Sequence, residues 1–332
     1  MKVNIYERAA LLPDLPAQSG YFHSRELMET CERTPRQQPY MAVVTDDDGL
    51  PLACLLAVVS SRRSWLPPYL YKHVRIMGEG GYREQPDIAM PHADNESKNA
   101  LFSMMVDALT KHLGYQTLYM EVSNLSQKMF GYGPLRAAGF FPVRWMNIHI
   151  SLHSHTPEER IGSKQLHRIE RAMKHGVTTK VVENDAEFRA FMKLLRRHHW
   201  LKPRRYVPNE AFFRSLMEEG RGTLFITQYG VHVIGCSCLV YTDGDAYLWY
   251  SASRRKSYAA LHPNAVTYWN TIRYAYKNGC RHIRFVDVGL PYRRNPYRDF
   301  ILRFGGKEVS TFRWFRISIP WVNKLASWLW RE

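Results

Sequence analysis

The apolar and polar positions of this chain form a pattern that is written twice. In YMAVVTDDDGLPLACLLAVVSSR, residues 40–62, an apolar run, a polar turn with Asp48 and Gly49, and a second apolar run make the signature of a β-hairpin. The stretch GTLFITQYGVHVIGCSCLVYTDGDAYLWYSA, residues 222–252, repeats strand, turn and strand around Tyr229 and Gly230, then adds a third strand after Asp243 and Gly244. Each half continues into a helix. Leu101, Met104, Met105, Ala108, Leu109 and Leu113 recur at helical spacing with Gly114 behind them, and Val266, Trp269, Ile272 and Ala275 do the same between Pro263 and Gly279. A short strand follows each helix, TLYMEV and HIRFVDV. Then come two near-identical phrases, LRAAGFFPV from Leu135 and LRFGGKEV from Leu302, each leading into a closing strand.

Gly114 and Gly279 are 165 residues apart, and Leu135 and Leu302 are 167 apart. Elements recurring in one order at a nearly constant offset mark an internal duplication. The pattern predicts an α+β protein of two tandem domains, residues 1–155 and 156–332, each a mixed, mostly antiparallel sheet flanked by helices. Gly139 and Gly306 read as the common pivot of the twin helix-to-strand turns. A length of 332 residues agrees, since one core seldom organises so long a chain.

Charge adds a partner class. Forty-six Lys and Arg against 30 Asp and Glu leave +16, which favours a polyanion: nucleic acid, a nucleotide-linked or lipid-linked diphosphate, a coenzyme or an anionic membrane. No helix-turn-helix or finger pattern is present, so DNA is not an expected partner. The first twenty residues lack the apolar centre of a signal peptide, and the longest apolar stretch, residues 51–59, is far short of the roughly 20 residues that cross a bilayer. The expected location is the cytoplasm, with peripheral contact on the inner face of the membrane as the other placement. Cys31, Cys54, Cys236, Cys238 and Cys280 are odd in number and sit among apolar residues, so reduced, buried thiols are expected. Cys236 and Cys238 have no second pair to complete a zinc set, and no metal site is expected.

In this order the elements resemble the GNAT acetyltransferase superfamily, in the duplicated form of the Fem peptidoglycan-bridge aminoacyltransferases, over roughly residues 20–318. SKQLHRIERAMKHGV resembles the basic helix that opens the second Fem domain, and residues 247–280 resemble the central strand, loop and helix. FVDVGL is similar to the family's Asp-x-Gly after a strand. FILRFGG is similar to its Phe-Lys-x-x-Phe-Gly ending, with Ile301 where the family has lysine. The resemblance implies an N-acyltransferase acting on an amine of a cell-envelope precursor or amino sugar. Its co-substrate would be acyl-CoA or aminoacyl-tRNA, with no tightly bound cofactor, the acceptor in the first half and the donor in the second. Acylation of a small-molecule or lipid amine from acyl-CoA is an alternative, as is a non-catalytic binding protein of the same fold.

Candidate residues follow from local chemistry. Arg254, Arg255, Lys256, Ser257 and Asn264 lie where a strand feeds a helix N-terminus, whose unpaired N–H groups and dipole favour an anionic donor. Asp287 shares a strand face with Ile283 and Phe285; it is placed to accept a proton from an attacking amine, to orient that amine, or to cap the turn through Gly289. Arg303 and Lys307 are candidate cations for an oxyanion. Lys164, Arg168 and Arg171 form a basic helical stripe, and Arg204 and Arg205 follow in LKPRRYVP. Both tracts suit phosphates of a diphosphate-linked acceptor or of tRNA. In SIPWVNKLASWLWRE, Trp321, Leu325, Trp328 and Leu329 share a helical face bordered by Lys324 and Arg331, a pattern compatible with docking on the domain or with a membrane interface.

Overall fold

The computed structural model describes residues 1–16, 19–63, 69–83, 91–199, 206–286, 288–292 and 294–330. In chain order the first repeat folds as β1 (Lys2–Tyr6), α1 (Arg25–Arg33), β2 (Gln37–Thr45), β3 (Pro51–Arg63), β4 (Leu70–Met77), β5 (Gly81–Tyr82), α2 (Pro91–Leu113), β6 (Tyr119–Ser123), α3 (Tyr132–Ala137) and β7 (Phe141–Ser151). The second gives α4 (Pro157–Arg160), α5 (Ser163–Lys174), β8 (Val177–Val181), α6 (Asp185–His199), α7 (Glu210–Glu218), β9 (Gly222–Tyr229), β10 (His232–Thr242) and β11 (Asp245–Ser253). It ends with α8 (Pro263–Lys277), β12 (His282–Phe285), α9 (Pro296–Leu302), β13 (Lys307–Ile317) and α10 (Pro320–Leu329). Among the described residues no helix is long and apolar enough to cross a membrane.

The chain forms two compact units, Met1–Trp145 with Ser310–Glu332, and Met146–Val309. In the first, the strands run β1-β2-β3-β4-β6-β13. All neighbours are antiparallel except the parallel pair β4 and β6. Phe102, Met105, Leu109 and Leu113 of α2 pack with Leu55, Val74, Ile76, Met120 and Val122 of the sheet, and Phe312 and Trp314 of β13 complete that core. In the second unit the order is β7-β12-β11-β10-β9-β8, again with one parallel pair, β11 and β12.

Each unit's parallel pair is therefore closed by the strand that ends the other repeat. β13 pairs with β6, Trp314 opposite Val122, and β7 pairs with β12, Ile148 opposite Phe285. Side-chain alternation determines which face of a strand is buried, but any strand of the right pattern satisfies an open backbone edge. The twin turns also differ from expectation by one residue. Gly139 has φ +85°, and its conformational equal is Gly305 at +84°, not Gly306. A Cβ on Gly305 would lie 2.6 Å from the Arg160 carbonyl oxygen, so glycine is required there twice over.

Helix α8 is seated on its sheet by hydroxyl pairs in a dry core. Thr227 Oγ1 and Thr267 Oγ1 are 2.6 Å apart, and Ser237 Oγ and Thr271 Oγ1 2.7 Å apart. Thr267 and Thr271 also donate back to the Pro263 and Thr267 carbonyls of the helix, so no hydroxyl in this ladder is left without a partner. Gly235 makes the approach close enough: a Cβ there would lie 2.2 Å from Thr267 Oγ1. Gly235→Ala is expected to cost about 1–3 kcal/mol in denaturant unfolding. Gly133→Ala, in α3 with open space around it, is expected to be neutral or slightly stabilising; equal losses at the two sites would contradict the close-approach argument.

Two buried histidines of the first unit make stability depend on pH. His23 accepts the Leu56 N–H at 3.1 Å, and burial holds its pKa down at about 4. Burial, then the Arg62 and Arg75 charges, hold His73 at about 3. In the unfolded chain both return to about 6.5 and bind protons first, so their contribution is complete above that pH and is lost as pH falls toward the folded values. Unfolding midpoints should drop below pH 6.5, by up to about 1.4 kcal/mol per pH unit for each histidine, and His23→Gln should flatten the profile.

Candidate functional site

The second unit opens at one end of its parallel pair. β11 and β12 are in register from Ala246 opposite Ile283 to Leu248 opposite Phe285. β12 then ends, while β11 continues to Ser253 with β10 along its other edge. Among the described residues no strand pairs with that free edge. Into the gap comes a chain of hydroxyls: Ser251 Oγ lies 2.7 Å from Tyr268 Oη, which donates to Tyr297 Oη at 3.0 Å. Tyr268 is held by stacking on Phe285, centroids 6.0 Å apart, and by edge contacts with Phe300 and Tyr297.

Beside this gap β11 runs into the loop 254–262. The Arg254 N–H donates to the Ile234 carbonyl, and the Arg254 carbonyl accepts from Tyr258 N–H. A turn of 3-10 helix, Ala259–Leu261, follows; His262 then adopts φ +43° and α8 begins at Pro263. Arg255, Lys256 and Ser257 are exposed, Arg254 and Asn264 half-buried. Arg254 Nε is buried without a hydrogen-bond partner among the described residues. The His262 pKa is lowered by burial first and then by the charges of Arg168 and Arg171. The stripe of α5, read from sequence as an acceptor surface, is thus brought to the same helix N-terminus as the loop read from sequence as a donor site. Lys164, one turn before Arg168, is exposed on that stripe.

Other sequence candidates fall elsewhere. Asp287, Arg204 and Arg205 lie outside the described residues. The turn after Asp287 is nevertheless well tied down: Asn295 donates to the Val288 carbonyl and caps α9 by accepting from Tyr297 and Arg298 N–H. Arg298 Nη1 donates to the Leu290 and Pro291 carbonyls at 3.1 and 3.2 Å. Arg303 is exposed past the end of α9, and its carbonyl accepts from Gly162 N–H. Lys307 is exposed at the start of β13, close enough to His149 to help lower its pKa. Ile301 is fully buried in the core of the second unit, so a lysine at that position would enter an apolar interior.

The tyrosine–serine chain was not visible in the sequence, because no local motif marks three hydroxyls that meet only when β11, α8 and α9 fold together. Nor was a charged cluster in the first unit. Glu121 of β6 faces Arg75 of β4 at 3.7 Å and Arg313 of β13 at 3.4 Å, and Arg313 stacks over Trp145 at 4.1 Å. The turn that follows β4 differs from the loop 254–262: it presents Glu79, whose carboxyl is pushed up chiefly by burial, and its Gly80 N lies 3.2 Å from His23 Nε2. Among the described residues of the second unit, a cavity of about 420 Å³ lies at the opposite end of β11, lined by Tyr241, Asp245, Tyr274 and Cys280. Asp245 there is committed to Arg284 and His282 at 2.6 and 3.0 Å. All five cysteines are free thiols, four of them buried, and no group of metal-ligating side chains occurs among the described residues.

Residues 163–294 match the family described as acetyltransferase (GNAT) domain. Among solved structures, a crystal structure of FemX is similar over 92% of this chain and 94% of its own, with 12% identity and TM-score 0.60. The C-terminal domain of a putative lysylphosphatidylglycerol synthetase from Agrobacterium fabrum is similar over 93% and 94%, with 9% identity and TM-score 0.58. A tandem GNAT protein from the clavulanic acid biosynthesis pathway is similar over 89% and 88%, with 12% identity and TM-score 0.50. No curated protein sequence matches the chain. Residues 163–294 thus match a GNAT domain model, and the whole chain has the duplicated GNAT fold, the fold it shares with FemX.

Proposed function

We propose that the protein is an N-acyltransferase whose donor, an acyl-CoA or an aminoacyl-tRNA, binds the second unit and whose acceptor is an amine of a cell-envelope precursor or amino sugar. The observation that carries this reading is the opening between β11 and β12 beside a helix N-terminus ringed by Arg254, Arg255, Lys256, Arg168 and Arg171. Phosphates of the donor suit the Asn264 N–H at the start of α8, the positive end of its dipole and those cations. The acyl carbonyl then reaches the gap, where the free edge of β11 offers backbone groups to polarise it. The amine nitrogen attacks the carbonyl carbon, the C–S bond of a thioester or C–O bond of an ester breaks, and the nitrogen gives up a proton as the leaving sulfur or oxygen takes one. Tyr297 and Tyr268, linked to Ser251, supply hydroxyls at the place where that proton changes hands. The first unit, with Glu79 rather than a basic loop after β4, suits the acceptor.

Ile301 in the core favours acyl-CoA over aminoacyl-tRNA within this reading, since the Fem-type lysine has no counterpart there. Intact-mass detection of product from a mixed panel of acyl-CoAs and charged tRNAs, with peptidoglycan precursors and amino sugars as acceptors, tests it; no transfer from either donor class would favour a non-catalytic binding protein. With a productive donor, Tyr297→Phe should lower kcat by roughly tenfold or more at unchanged donor KM. Arg168→Ala with Arg171→Ala should instead raise donor KM. The same pair should raise the His262 pKa in an NMR titration, while burial keeps it below 6.5. An unmoved His262 would contradict the placement of α5 whatever the activity.

A further inference from the structure

We infer that α10 docks on an anionic lipid surface through an apolar face that the fold turns outward. No residue of this ten-residue helix is buried. Trp321, Lys324, Leu325, Trp328 and Leu329 recur at i, i+3, i+4, i+7 and i+8, one face of a helix, and all five are exposed. Trp321 stands 69%, Leu325 49%, Trp328 61% and Leu329 66% open. The side turned toward the first unit carries Val322, Asn323, Ala326 and Ser327, all half-buried. Asn323 sets that orientation with two bonds: its Oδ1 accepts the Ile317 N–H at 2.8 Å, and its Nδ2 donates to the Gly139 carbonyl at 2.9 Å. A helix that only docks on its own domain buries the apolar stripe and exposes the polar one. Here the small and polar side chains face inward and the large apolar ones face out.

Charge and residue type identify the occupant. The helix carries the exposed Lys324 and no Asp or Glu, in a chain carrying +16. Tyr115, 92% open, lies near Arg316 and adds a further ring to the rim. Tryptophans beside leucines with a lysine on the border match the membrane interface, where rings sit at headgroup depth and the ammonium meets lipid phosphate. At about 15 Å the helix is too short to span a bilayer and suits lying flat on one.

The docking is independent of acyl transfer, and its test needs no acyl donor. The full chain is floated with vesicles of phosphatidylcholine alone and of phosphatidylcholine with about a third phosphatidylglycerol, alongside size-exclusion with light scattering in the absence of lipid. Wild type should float with the anionic vesicles and much less with the neutral ones, and high salt should release it. Trp321→Ser with Leu325→Ser, Trp328→Ser and Leu329→Ser should reduce flotation by roughly tenfold or more without lowering Tm, because none of these residues is buried. Lys324→Ala should reduce it about fivefold. Equal flotation of wild type and the fourfold variant, absence of flotation, or a lipid-free dimer that the fourfold variant dissolves would each overturn the proposal, the last in favour of a second copy of the chain.

Discussion

The close seating of α8 on β10 is the contact on which the second unit depends. At Gly235 the absence of a side chain lets the helix approach, and the hydroxyls of Thr227, Ser237, Thr267 and Thr271 then pair inside the core. Such a ladder specifies register as well as depth, because sliding the helix by a residue would leave buried hydroxyls unmade, at a cost of about 1–3 kcal/mol each. With α8 fixed, its N-terminus stands at the end of β11 and Tyr268 reaches Ser251. The placement of the basic loop, the strand opening and the hydroxyl chain are therefore consequences of one packing decision.

The second organising feature is the exchange of closing strands. A parallel pair made by a β-helix-β crossover leaves the outer edge of its second strand open, and an open edge is a hazard that folded proteins cover. Covering β6 with β13 and β12 with β7 makes each core incomplete without residues from the other repeat: Phe312 and Trp314 in the first core, Ile148 and Ile150 in the second. Neither repeat can then be removed without exposing the other's sheet, although the repeats are so alike in pattern.

Charge is distributed unequally over two similar folds. Behind β11 the loop is basic and further cations arrive from α5; behind β4 the turn presents a half-buried glutamate and sets Gly80 against His23. The two parallel pairs are not equivalent either: β4 and β6 end together, Met77 opposite Ser123, whereas β11 runs on to Ser253 after β12 has ended. In the first unit the cations are instead gathered on the sheet around Glu121.

Much of this was legible in the linear pattern. Alternation in residues 40–62 and 222–252, helical spacing before Gly114 and Gly279, and the constant offset between halves determine the elements, their order and the α+β class, because period and punctuation are local properties of the chain. The basic loop before Pro263 was visible for the same reason: a strand end, a cation run and a helix start are consecutive. What the sequence could not determine were relations between residues far apart in it. Gly305 rather than Gly306 takes the left-handed turn, and it also lies against the Arg160 backbone where no Cβ fits. Arg168 and Arg171 reach His262, Tyr297 reaches Tyr268, and β13 finds β6 only in the folded state. Amphipathicity alone also left the apolar face of α10 without a direction. Asn323, by bonding Ile317 and Gly139, turned it to the outside.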